Sequence, residues 1–414
     1  MSNGWTNQKQ QPIMNFLVYC PRGAMFLKSI DTSGLTKDVE TLFKIFDSVV
    51  QEIGVEYIVQ LITDNAFTYK KAGKKLQQKY GTLFWSPCAA HCIDLMLENI
   101  ANPRWFPLVD EAIKKAKKIT KFIYNHGVVL DLMRQDFTNG RELCRPAITR
   151  FATNFLSLQS MLRFKKELRQ MFTCDKWLSC PHAKTAIGKE ISKIVLEDYS
   201  FWSQCKNIVK VSEPLVRVLR LVDGMRNLLW GCFLNPAIYF RPSFKRKNEV
   251  QRGLLSTLMR LIPDLDIQDK ISSQLDEYKK YAMGYLYEAM DKAKEEIKRR
   301  LKNKVSLYGN YIRVIDARWD KQLHSPLHAA GCFLNPAIYF RPSFKRKNEV
   351  QRGLLSTLMR LIPDLDIQDK ISSQLDEYKK SIGDFGTSLA IRQQERLNPV
   401  SWWEQFGLGA LDLP

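Results

Sequence analysis

VEYIVQLITDNAFTYKKAG, Val55 to Gly73, decides the fold. Its first nine residues carry an apolar run too continuous for a half-exposed strand, so Val55–Thr63 reads as a strand buried inside a sheet. Asp64 closes that run, and Asn65-Ala66 opens a helical pattern. An acid at the carboxyl end of a buried strand stands where ligands collect in open α/β sheets. The first amides of the helix behind it orient polar groups nearby. Asp64 is therefore the leading candidate for a metal-binding catalytic acid. An aspartate in this position also reads as the N-cap of the helix that follows.

Upstream, IMNFLVYC and AMFLKSI flank Pro21-Arg22-Gly23, which predicts a hairpin over residues 12 to 31. Thr36 is the expected N-cap of a helix whose apolar positions, Val39, Leu42, Phe43, Phe46, Val49, Val50 and Ile53, recur at three- and four-residue steps up to Gly54. The order is strand, strand, helix, strand. Downstream, from about residue 100, the pattern turns helical for a long way. Ala112, Ile113, Ala116, Ile119 and Ile123 form one stripe against a lysine-rich face, and Leu156, Met161, Leu162, Leu168, Met171 and Phe172 predict further helices. MGYLYEAMDKAKEEIKRRLKN, Met283 to Asn303, is another, with Glu295 and Glu296 placed to meet Lys298, Arg299 and Arg300. The fold class is α+β.

The 414 residues, 45% hydrophobic and 26% charged, suffice for two or three packed domains. Against 43 acidic residues stand 63 basic ones, and the net charge of +20 favours a polyanionic partner. Nucleic acid is preferred over an acidic membrane, because the basic residues are spread along the chain and no long basic amphipathic helix stands alone. A run such as Lys114, Lys115, Lys117 and Lys118 also reads as the solvated face of a helix. Nine cysteines without regular spacing point to a reducing compartment. No apolar run approaches the roughly 18 residues that cross a bilayer, so no membrane role is expected.

A 50-residue segment, GCFLNPAIYFRPSFKRKNEVQRGLLSTLMRLIPDLDIQDKISSQLDEYKK, occupies Gly231 to Lys280 and recurs without a change at Gly331 to Lys380. Two copies do not make a solenoid, and perfect identity points to a very recent duplication or an error in the gene model. Removing one copy leaves a net charge of +17, so the reading of the charge survives.

Three further clusters carry chemistry. Cys88, His91 and Cys92 offer soft metal ligands within five residues, with Cys174, Cys180 or His182 available to complete a zinc set. The spacing is not that of paired CxxC motifs, and His91 and Cys92 leave a helix on different faces, so packed thiols and a hydrogen-bonded histidine are the expected arrangement. Arg150-Phe151 pairs a cation with an aromatic ring, as needed to hold an unstacked base, although Phe151 also reads as core. Arg241 with Lys245, Arg246 and Lys247 forms a basic cluster fit for phosphate contact or a nuclear address.

Several segments together resemble the plant branch of the hAT-superfamily transposases: SNGWT at Ser2 to Thr6, NFLVY, FLKSID, LITDN, WSPCAAHCIDLMLENI, ITRFATNFLSL, MGYLYEAMDKAKEEI, HAAGCFLNPAIYF and NPVSWWEQFG. They agree in order along nearly all of the chain. The resemblance implies a ribonuclease H-like mixed sheet, in which three strands and a helix precede the strand that delivers the second acid, with a large inserted all-α domain. It divides the chain into residues 1–100, the core with a truncated first strand; 101–330, the helical insertion with the first repeat copy; and 331–414, the end of the core with the second copy. It also implies two aspartates and a glutamate holding two Mg²⁺ or Mn²⁺ ions, a nuclear location, DNA as partner, and association with related proteins or a second copy.

Asp64 in TDNA takes the family's second acid position. Asn3 takes the first, where the family reads SDGWT, and an amide is a poor ligand for a hard dication. Met1 stands two residues upstream, so most of the first strand is expected to be missing, and the chain reaches Pro414 before the family's third acid. Glu395-Arg396 precedes the tryptophans and is not that acid's counterpart. Cys88 and His91 match a Cys-x-x-His motif near the active site, and Phe151 sits where related enzymes stack a Trp on a flipped base. The implied protein is a catalytically inactive transposase relative with no metal bound. The alternatives are a metal-dependent nuclease using Asp64 with Asp31 or Asp94, and a nuclear protein-interaction module.

Overall fold

A computed structural model describes residues 1–6, 10–20, 23–145, 152–233, 283–342, 344 and 348–410. The chain divides into two compact units. Met1–His91, Arg220–Ala289 and Lys321–Pro414 form the first, and Cys92–Leu219 with Met290–Asp320 forms the second.

In the first unit the predicted hairpin forms as β2 (Pro12–Cys20) and β3 (Gly23–Asp31). β1 (Ser2–Thr6), the segment expected to be a remnant, pairs antiparallel with β2 along its whole length, from Ser2 opposite Phe16 to Thr6 opposite Pro12. Met14 and Phe16, two residues apart and so on one face of β2, are both buried. They meet α1 (Val39–Ile53), whose Leu42, Phe46, Val49 and Val50 complete the layer, with Phe16 and Phe46 edge to face. The cap of α1 is Asp38 and not Thr36. The Asp38 carboxylate accepts the Thr41 N–H at 2.8 Å, while the Thr36 hydroxyl only donates to it. An ionised acceptor complements the positive helix end better than a hydroxyl does, and these hydrogen bonds hold the Asp38 carboxyl down to about 2. Gly54, at φ +97°, ends the helix as its spacing predicts.

The expected strand Val55–Thr63 is shorter than its apolar run. Val55–Tyr57 forms a 3₁₀ turn, with Tyr57 77% exposed, and only Gln60–Thr63 is strand (β4). Val55 and Ile58, three apart, pack on the core from that turn, and a turn of this spacing imitates an extended run in sequence. β4 pairs in parallel with β5 (Phe84–Pro87), and α2 (Phe67–Lys79) makes the crossover that parallel strands require. A Cβ on Gly73 would stand 2.0 Å from Cδ1 of Trp85, so this glycine lets α2 lie directly on the indole.

The C-terminal part of the first unit consists of helices, chiefly Pro326–Phe333, Asn348–Leu361, Leu365–Lys380 and Pro399–Phe406. Tyr378, wholly buried, has Phe333, Tyr339, Phe340, Phe385, Trp402 and Trp403 around its ring. Three polar tips are satisfied: Tyr378 Oη donates to Phe333 O at 3.2 Å, Trp402 Nε1 to Ala390 O at 2.9 Å, and Trp403 Nε1 to Leu334 O at 2.7 Å. The second repeat copy thus supplies much of this core. It also reaches the sheet region, where Arg360 donates to Gln77 O at 2.9 Å and Leu83 O at 3.1 Å and lies 4.9 Å from the centroid of the Phe84 ring. Gln77 is in the last turn of α2, so a cation covers a carbonyl that the helix leaves unpaired. In the first copy, residues 234–280 lie outside the described residues.

α3 (Ala89–Ile100) leads into the second unit, which is helical. The stripe predicted on α4 (Pro107–Asn125) is buried at all five positions. Its lysines are partly paired, Lys114 with Asp110 and Lys115 with Asp198. Met161, Leu168, Met171 and Phe172 are buried as expected, and Leu156 and Leu162 half-buried. The helix Met283–Arg300 ends with Glu296 bonded to Arg299 and Arg300, and Arg300 also pairs with Glu213. The fold is α+β, mostly helical with short sheets.

Candidate functional site

β1 lies beside β4, and the contact is specific: the Gly4 N–H donates to Oδ2 of Asp64 at 3.3 Å. A Cβ on Gly4 would stand 2.8 Å from Oη of Tyr69 and 3.9 Å from Asp64 Oδ2, so a larger residue here would have to displace the Tyr69 hydroxyl. Asp64 is half-buried. It does not cap α2: the N-cap is Ala66, which has no side chain to accept a bond. The carboxylate faces β1 instead. Its backbone is fixed from below, because Trp85 Nε1 donates to Thr63 Oγ1 at 3.0 Å, and that hydroxyl donates to Asp64 O at 2.9 Å. Burial, and then the nearby charge of Asp64, raise the Tyr69 phenol above its ordinary value of 10.

Asn3 is half-buried and stands opposite Asn15. Side chains alternate along a strand, so its amide leaves β1 on the face opposite to that of Gly4. The link between the two acid positions of the resemblance therefore runs through the backbone of the next residue. Cys88 follows β5 and extends its ladder, its N–H donating to Thr63 O at 2.7 Å, which places it on the same sheet edge as Asp64. His91, in the first turn of α3, is exposed, and Cys92 beside it is completely buried.

The other candidate ligands are engaged elsewhere. Asp31 accepts both the N–H and the hydroxyl of Ser33, and Asp94 accepts the Ala152 N–H at 2.9 Å. Cys174 caps a short helix by accepting from Trp177 N, Cys180 is buried, and the His182 ring packs 4.2 Å from that of His126. Among the described residues no three His, Cys, Asp or Glu side chains gather into a group able to hold a metal ion. With a single carboxylate bonded to an amide, and an asparagine facing away, the residues present do not fit a two-metal site. Arg150, Phe151, Arg241, Lys245, Arg246 and Lys247 lie outside the described residues. No helix among the described residues is long and apolar enough to cross a membrane.

A polar pair at the sheet, a half-buried Gln60 and a buried His328, escaped the sequence reading. Gln60 Nε2 donates to Ser86 Oγ at 2.7 Å and lies 3.5 Å from His328 Nε2, while His328 Nδ1 stands 2.9 Å from Leu323 O. A proton on Nδ1 alone satisfies both partners, since Gln60 offers Nε2 an N–H. Burial accordingly lowers the His328 pKa below 6.5. No signal in sequence joins residues 268 apart.

No curated protein matches the chain. Residues 1–119, from β1 through most of α4, match the family model of DUF659, a domain of unknown function associated with hAT transposases in plants, and this part of the chain is similar to that family.

Proposed function

We propose that the chain is a hAT transposase-like protein whose ribonuclease H-like core has lost strand cleavage and which acts in the nucleus by binding DNA, or by pairing with related proteins. The observation that carries this reading is the Gly4 to Asp64 hydrogen bond: the strand bearing the first acid position lies against the acid at the end of β4. The order of three strands, a helix and β4 supports a ribonuclease H-like core, and the match over residues 1–119 supports the transposase relation. The amide at Asn3 supports the loss of cleavage, and the net charge of +20 supports DNA as the partner.

The test is to incubate the full chain with labelled duplex and single-stranded DNA in Mg²⁺ or Mn²⁺ and to measure cleavage and binding together. The expected result is no cleavage, an affinity that falls steeply with salt, and the same affinity for Asp64→Ala. Metal-dependent cutting that disappears in Asp64→Ala would overturn the loss of catalysis. Failure to bind DNA at any salt concentration would overturn the DNA-binding reading.

A further inference from the structure

α2 carries a surface that its packing does not explain. Its sequence, FTYKKAGKKLQQK, has five lysines and no acid. Tyr69, Ala72, Gly73 and Leu76 face the core. On the other side Phe67, Lys70, Lys71 and Lys74 recur at i, i+3, i+4 and i+7, which makes them one stripe along the helix. Phe67 is 69% exposed although aromatic rings are usually covered, and Lys71 Nζ lies 4.4 Å from its centroid. The remaining lysines of α2 have acids to meet: Lys75 pairs with Glu40 and Lys79 with Asp47, both on α1. Lys70 and Lys74 have no ion pair among the described residues.

The stripe starts three residues after Asp64, at the sheet edge that also carries Cys88. Lys70 and Lys74 are separated by about 6 Å along the helix axis. An exposed ring beside two lysines without an ion pair among the described residues matches what a nucleic-acid strand needs, a face for one base and positive charge for the phosphates next to it. A duplex hides its base faces, so the ring selects an unpaired strand.

We infer that the Phe67, Lys70, Lys71 and Lys74 face of α2 binds single-stranded DNA, with a base stacked on Phe67 and the backbone running over the three lysines. This deepens the DNA-binding reading above and rests on it. It places the strand along the edge that holds Asp64 and differs from the basic positions Lys245, Arg246 and Lys247 and from Arg150 and Phe151.

The experiment is fluorescence anisotropy of the full chain with a labelled oligo-dT and with a duplex hairpin, across a salt series. K70A/K71A/K74A is expected to weaken single-strand binding and to reduce the log–log salt slope by about 2, at roughly 0.7 per phosphate contact. Phe67→Ala is expected to weaken single-strand binding by about 5- to 150-fold, from the usual worth of one stacked base, with the slope unchanged and the hairpin unaffected. Unchanged circular dichroism of both variants excludes unfolding as the cause. If the wild-type chain binds DNA and both variants bind as it does, the α2 assignment is overturned while the DNA-binding reading stands. An equal loss on hairpin and single strand in Phe67→Ala overturns the stacking. A wild-type chain that binds neither probe overturns the DNA-binding reading and this inference with it.

Discussion

Around Tyr378, rings from four helices and the 3₁₀ turn Gly383–Gly386 close on one another with both indoles and the Tyr378 hydroxyl bonded, whereas at Asp64 a half-buried carboxylate accepts the Gly4 amide. Both regions belong to the first unit, and their construction differs in kind. The aromatic cluster gains stability from buried area and satisfied polar groups. At the Asp64 edge the carboxylate itself is only half-buried, and a larger residue at position 4 would have to displace the Tyr69 hydroxyl beside it.

The comparison can be broken most forcefully at Trp402. Its indole is fully buried and hydrogen-bonded, so Trp402→Ala should cost about 3–5 kcal/mol in urea unfolding. A loss below roughly 1 kcal/mol would mean that the cluster does not anchor the unit. Arg360 gives a sharper probe, because it ties the second repeat copy to the end of α2 through Gln77 O and to the start of β5 through Leu83 O and the Phe84 ring. Arg360→Ala should cost about 1–3 kcal/mol, the range for orphaned hydrogen-bonding groups, and Arg360→Lys should recover only part of it, since an ammonium lacks the planar face that lies over the Phe84 ring. An unchanged urea midpoint would separate the repeat copy from the sheet energetically.

The smallest expected effect is a pH dependence. The folded pKa of His328 is lowered by burial, so below about 6.5 the unfolded chain takes up a proton that the folded chain refuses. Stability from this group is therefore complete above that value and falls as pH drops through it, levelling off once the folded imidazole also titrates. Comparing urea midpoints at pH 7.5 and 5.5 for the wild type and His328→Gln should show a flatter profile in the variant. Identical profiles would remove His328 from the pH response.

Much of the molecule was legible from local pattern. The hairpin needed only its two β-rich arms and a turn, and the buried stripe of α4 followed from helical periodicity. Where local pattern was ambiguous it misled. Val55–Thr63 reads as one strand because a 3₁₀ turn with inward Val55 and Ile58 has the same apolar residues as an extended run. Thr36 and Asp38 are both good caps in sequence, and only the chain's path showed which one meets the Thr41 amide. The alternative reading of Asp64 as a cap failed for the same reason: its carboxylate turns toward a strand 60 residues away.

By itself the sequence determined the basic charge, the helical stripes, the glycine that ends α1, and Asp64 as the acid at a strand end, all properties of neighbouring residues. The tertiary structure alone decided that Gly4 would bond that acid, that Arg360 would cover the end of α2, that Gln60 would meet His328, and that Phe67 would face water with three lysines in line. Periodicity acts over a few residues of backbone geometry. Hydrogen bonds across 60, 268 and 283 residues exist only after packing has brought their partners together.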